Sequence, residues 1–213
     1  MAASDVSNRL KEACVDTLRS LLSAHQDVRK EAESQVQQLE VTEGLENLFS
    51  LLRVTCHVFK PTFYASFSGF GTYLTEIAFD PRYTLPIRQL SLVLLKQYVD
   101  CHWWKYCEDK FHPPEVTAEA KAVIREVLPR ILADENNKIR CGVAHVISTI
   151  AHWDWPEEWP TLFSTLMIYL QGTPEGLHGS MTVLLEVTRN VDDKQMPQVV
   201  GTQDILIEIV NHN

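Results

Sequence analysis

The chain has 213 residues, 45% of them hydrophobic and 22% charged, with a formal net charge of -9 and a sequence pI of about 5.3. That composition is too apolar for a disordered segment and too acidic for a protein whose main ligand is a nucleic-acid phosphate backbone, and it predicts no direct nucleic-acid binding. Five cysteines (Cys14, Cys56, Cys101, Cys107, Cys141) form no C-x-x-C pair, and the start lacks a basic-then-apolar leader, so a reducing compartment is expected.

In chain order, apolar residues recur at helical spacing. Leu10, Cys14, Leu18 and Leu22 form one stripe, and Val28, Ala32, Val36 and Leu39 form the next. Residues 44–68 break the pattern: they hold five aromatics against three charges (Glu46, Arg53, Lys60) and lose periodicity after Pro61. Residues 45–58 allow a helix, and 61–71 read as loop. The most apolar window, 45–67, also carries His57, too many polar groups and a proline for a membrane span, so no membrane insertion is expected.

After this segment Asp80-Pro81 stops a helix, Thr84 caps the next with Pro86 in its first turn, and Ile87, Leu90, Leu94 and Tyr98 make its stripe. Pro113-Pro114 announces another start, followed by Val123, Val127 and Ile131, then by Ile139, Val143, Ile147 and Ile150. Leu162, Leu166 and Leu170 come next. Thr173-Pro174 repeats the cap-then-proline arrangement ahead of Leu177, Met181, Leu184 and Thr188. Strict alternation is missing throughout, which predicts an all-α chain.

The run His152 to Pro160 holds three of the five tryptophans (Trp153, Trp155, Trp159) with Pro156 and Pro160, and marks a rigid helix-helix corner. A helix tolerates Pro160 only in its first turn, so the next helix is expected at or just after Pro156, within about five residues of the previous one.

Three predicted helices begin with a β-branched residue and an arginine: Val28-Arg29, Ile87-Arg88 and Ile139-Arg140. Arg88 and Arg140 lie 52 apart. Arg29 and Arg88 fall 34 apart once the 25 residues 44–68 are set aside, inside the helical-repeat range, which makes that segment an insertion. Helix pairs repeated in this way predict a HEAT-type right-handed α-solenoid of about four pairs, with a closed bundle as the rival. Its arginines would sit at one height and bond neighbouring turns as a structural ladder.

Cys101-His102 with Cys107 and His112 has metal-like residue types but not zinc spacing, so ordinary burial is favoured. Cys141 and His145, four apart on one predicted helix, are the one Cys-His neighbour pair to weigh as a catalytic dyad. No Walker, Rossmann, G-x-S-x-G or H-E-x-x-H motif is present. The expectation is a protein that is not an enzyme and carries no cofactor or metal.

Val28-Arg29-Lys30-Glu31-Ala32-Glu33 with Leu39-Glu40-Val41-Thr42-Glu43, Ile87-Arg88-Gln89-Leu90 with Leu94-Leu95-Lys96-Gln97-Tyr98-Val99, the Trp103, Phe111, Pro113-Pro114 region, and Ala151 to Pro156 with Trp159-Pro160 resemble, in this order, the importin-β (karyopherin-β) family of nuclear transport receptors. The resemblance covers about 1–43 and 69–200. It implies a first HEAT repeat in 1–43, an inserted segment in 44–68 that is partly helical or disordered, further repeats in 69–200 and a divergent tail in 201–213.

It further implies binding of the small GTPase Ran in its GTP form, carriage of basic nuclear cargo, contact with nucleoporins, and residence in cytoplasm and nucleus, including the nuclear envelope. In the family the Ran surface lies on the second, inner helix of each early repeat, which maps to 28–39, 87–100, 139–152 and 177–191. Their non-apolar positions Arg29, Glu33, Gln89, Lys96, Lys138 and His145 are the candidate contacts, while Arg88 and Arg140 serve the ladder. A generic helical-repeat scaffold or regulatory subunit that ignores Ran is the alternative.

Overall fold

The computed structural model describes residues 2–41, 69–107 and 110–190, with side chains described from residue 8 onwards. Among these residues there are eight helices and no strand. They are α1 Ala2–Leu21, α2 Gln26–Val41, α3 Phe70–Phe79, α4 Leu85–His102, α5 Ala118–Ile131, α6 Asn137–Asp154, α7 Leu162–Leu170 and α8 Pro174–Asn190. The expected segment 44–68 and tail 201–213 lie outside the described residues.

Consecutive helices pair as hairpins, α1 with α2, α3 with α4, α5 with α6 and α7 with α8. First members then pack on first members (α1 on α3, α3 on α5) and second members on second members (α4 on α6, α6 on α8). The product is two layers of helices, an α-solenoid fragment rather than a closed bundle. Against this rule, α2 makes no comparable contact with α4; α1 instead touches both α3 and α4.

The core is the seam between layers. Leu18, Leu74, Ile77, Leu95, Tyr98, Ile124, Leu128, Ile139, Val143, Ile147, Leu162 and Leu166 are all essentially buried, as a stripe at helical spacing requires when both neighbours cover it. Burying a side chain of this size contributes about 1.5–3 kcal/mol. Two glycines set how closely the layers approach. A Cβ on Gly71 would fall 2.6 Å from Tyr98 Cε1, and one on Gly179 would collide with the Leu132 carbonyl oxygen. Gly179 thereby lets α8 lie against the α5–α6 turn.

Helix starts follow the sequence signals with some shifts. Thr173 Oγ1 accepts from Gly176 N at 3.2 Å, whereas Thr84 precedes α4 without a side-chain cap bond. The start signalled by Pro113-Pro114 comes later, at Ala118, because Thr117 Oγ1 accepts from Ala120 N at 3.2 Å and fixes the boundary there. The corner departs most. α6 ends at Asp154, and α7 begins only at Leu162, well past Pro156.

The reason lies in Asp154, whose carbonyl accepts from both Glu158 N and Trp159 N at 2.8 Å. That turn prolongs the end of α6 instead of opening a new helix, so both prolines fall in the connection, residues 155–161, and Pro160 never has to be tolerated inside a helix. The corner still packs as expected. Trp159 is buried, Trp155 lies edge-on to Phe163 and Trp153 stacks on Trp104.

Several residues of the expected stripes face outward: Leu22, Val28 and Val123, and on α8 both Leu177 (46% exposed) and Met181 (52%). For α8 the cause is its place in the stack. It packs on α6 and α7, and among the described residues nothing covers its other flank.

Candidate partner-binding face

The ladder is the frame on which the second-layer helices are hung. Arg29 donates through NH1 to the carbonyls of Ser23 (2.9 Å) and Ala24 (3.4 Å), six and five residues back. Arg140 repeats this offset, donating through NH1 to Asp134 (2.7 Å) and Glu135 (2.9 Å) carbonyls. Arg88 instead reaches Ala78 O through Nε at 2.8 Å.

Two of the three also reach forward. The Arg88 guanidinium pairs with the Asp134 carboxylate of the next repeat, and Arg140 Nε lies 3.4 Å from His178 Nδ1 in the repeat after that. Arg29 has no such forward bond among the described residues. Asp80, in the turn before α4, is gripped by Arg82, whose hydrogen bonds hold the Asp80 carboxyl down at about 2.

This frame places four candidate contacts together. Gln89 and Lys96 lie on α4, Lys138 and His145 on α6, and the two helices are held alongside each other where Leu92 fits against Gly142. Lys138 is exposed; its backbone N–H is capped by Asn136 Oδ1 at 3.0 Å, leaving the ammonium outward. Lys96 Nζ donates to Asp100 Oδ2 at 2.7 Å, and His145 Nδ1 is 3.4 Å from Glu186 Oε2 on α8, a carboxylate that also takes Arg189.

The other two do not join them. Glu33 is exposed on α2, a helix that packs on α1 rather than on α4, and among the described residues the Arg29 side chain bonds only within its own turn. Arg29 is thus built as a ladder residue of the first hairpin.

Sequence reasoning missed three structural partners. His178 fills the fourth ladder position, and its signal was Leu177-His178, an apolar-basic pair 38 residues after Ile139-Arg140. Asp134 lay unremarked in the turn before α6. Asp154, at the centre of the tryptophan run, is buried and accepts from Trp103 Nε1 and Arg125 NH1, each at 2.9 Å. Burial raises the Asp154 pKa, and the Trp103 hydrogen bond and the Arg125 charge offset part of that rise. An acid inside so apolar a run was itself a sign that partners converge on it.

Among the described residues, Cys14, Cys101 and Cys141 are not arranged for catalysis. Burial pushes the Cys14 thiol up to about 12, and burial with nearby Asp100 raises Cys101. Cys141 Sγ is directed to Asn137 Oδ1 at 3.5 Å while His145 faces Glu186, so the two do not form a dyad. Among the described residues no three His, Cys, Asp or Glu side chains gather to hold a metal ion, and no helix is long and apolar enough to cross a membrane.

Paired helices stacked in two layers and tied by an arginine ladder define an α-solenoid of the HEAT type. Residues 62–140 match the family described as "Importin-beta N-terminal domain". Importin-9 of Drosophila melanogaster is 34% identical over 199 residues, covering 92% of this chain and 17% of that protein. Importin subunit beta-5 of Schizosaccharomyces pombe is 32% identical over 123 residues, or 57% of this chain and 12% of its own.

Among solved structures, the exportin Cse1 in its cargo-free, cytoplasmic state superposes with a TM-score of 0.67 at 19% identity, over 92% of this chain and 19% of that one. Importin beta superposes with a TM-score of 0.65 at 18% identity, over 89% and 20%. The chain belongs to the importin-β family of nuclear transport receptors. It spans under a fifth of the length of these curated relatives.

Proposed function

We propose that this chain supplies the Ran-facing N-terminal repeats of a nuclear import receptor. In this reading the second-layer helices bind the GTP form of Ran, and the chain takes part in importing basic nuclear proteins, moving between cytoplasm and nucleus, reaching the nuclear envelope and meeting nucleoporins. The observation that carries the reading is the gathering of Gln89, Lys96, Lys138 and His145 on one face of α4 and α6, in a chain of the importin-β family. A row of parallel helices offers a folded partner an extended, polar-rimmed surface.

The net charge of -9 supports basic cargo, since it speeds encounter with cationic partners at low salt. The role is one of binding rather than catalysis. The deciding experiment presents the immobilised chain to purified Ran loaded with GTP or with GDP. Selective retention of the GTP form is expected; equal retention of both, or of neither, favours a scaffold indifferent to the nucleotide.

A further inference from the structure

Gly142 brings α6 so near α4 that a Cβ placed on it would lie 3.0 Å from Leu92 Cδ1 and 3.4 Å from Leu92 Cβ. That contact also fixes register, setting residues 89–96 of α4 beside 138–145 of α6. One position on from Leu92 the helix turns by about 100°, which carries Val93 out of the seam. Val93 is 54% exposed, and among the described residues of α4 and α6 no other large apolar side chain stands as open to solvent.

A single exposed valine is ordinary. Its surroundings are not. Gln89 and Lys96 lie about one turn to either side of it on α4, and the register puts Lys138 and His145 about one turn to either side of the opposite point on α6. An apolar spot ringed by polar groups, three of them able to carry positive charge, has the anatomy of an energetic centre in a protein interface.

We infer that Val93 is the apolar centre of the partner-binding face and packs against one apolar or aromatic side chain of the partner, whose flanking carboxylate meets Lys138. The inference rests on the reading of this face as a Ran surface and names the part of it that holds the binding energy. The choice of an acid-flanked partner follows from charge: the Lys138 ammonium has no ion-pair partner among the described residues, so an incoming carboxylate gains a pair without breaking one.

The test compares affinities for GTP-loaded Ran of the wild-type chain, Val93→Asp and Val123→Asp, with circular-dichroism melting as a fold control. Val123 is 37% exposed on α5, in the other layer, and carries the same change of charge away from the face. Val93→Asp should weaken binding at least roughly tenfold, as loss of an interface centre does, with Val123→Asp within about twofold of wild type.

A wild type that selects GTP-loaded Ran alongside a Val93→Asp variant that binds equally well overturns this inference and leaves the proposed function intact. A wild type that fails to select it overturns both. Should Val93→Asp not fold, Val93→Ser decides: it should weaken binding by several-fold, and an affinity within about twofold of wild type overturns the inference.

Discussion

Trp103 Nε1 donates to Asp154 Oδ1 at 2.9 Å, joining the end of α4 to the end of α6 across 51 positions of sequence. Trp103 is fully buried and Asp154 nearly so, and Arg125 from α5 takes the second carboxylate oxygen. Three helices from two repeats thus meet on one acid.

Replacing Asp154 with Ala strands both donors. The cost should be about 3–5 kcal/mol, as for a broken buried pair, and Trp103→Phe should cost about 1–3 kcal/mol by leaving one carboxylate oxygen short of a partner. A double-mutant cycle in urea should return a coupling above about 0.5 kcal/mol. Simple additivity would show that the contact carries little.

The glycines separate by what a methyl group would strike. Gly179→Ala drives a carbon into the Leu132 carbonyl, and Gly71→Ala into the buried Tyr98 ring; each should destabilise by about 1–3 kcal/mol in spite of better helix propensity. At Gly172 the nearest atom is 3.4 Å away, which is ordinary contact. Thermal melting of the three alanine variants should therefore show two large falls in Tm and one small change.

Arg88 and Arg29 hold equivalent ladder positions with unequal burdens. Arg88 is 7% exposed, bonds Ala78 O and pairs with Asp134, so Arg88→Ala should cost about 2–4 kcal/mol. Arg29 is half-buried with two carbonyl partners, and Arg29→Ala should cost about 1 kcal/mol. Equal losses in denaturant melts would contradict the difference in forward reach. Arg88→Lys should recover only part of the loss, because an ammonium lacks the planar fork.

Asp80 should mark the acid limb. Its folded pKa is held near 2, mainly by Arg82 hydrogen bonds, against an ordinary value of 3.8, so the native state binds fewer protons than the unfolded state between those values. The stability it contributes is present above about pH 4 and is lost as pH falls towards 2. The difference in stability between wild type and Asp80→Asn should shrink across that window, and more weakly in high salt because Arg82 is exposed. A difference independent of pH would exclude the pair as its source.

Helix pairing was legible because the apolar stripes repeat at a fixed spacing and the Val28-Arg29, Ile87-Arg88 and Ile139-Arg140 starts recur with it. The corner was legible as a corner but not in its length, since the double acceptance by the Asp154 carbonyl is a property of the folded turn. Of the six candidate contacts, Gln89, Lys96, Lys138 and His145 gather because α4 and α6 lie in register. Arg29 and Glu33 do not, since α2 leans on α1, and no local pattern encodes which helix a helix leans on. Val93 escaped notice for a related reason: a valine next to Leu92 looks like core until Gly142 shows which of the two turns inward.

The ladder also has a direction. Arg88 reaches forward to Asp134 and Arg140 forward to His178, while Arg29 keeps its bonds at home. From the third hairpin onward, each unit is latched by the arginine of the unit before it. The opening hairpin holds the rest mainly through α1, by apolar contact and the Lys11–Glu76 pair, and so has the least to stop it from peeling away first when the protein is pulled or warmed.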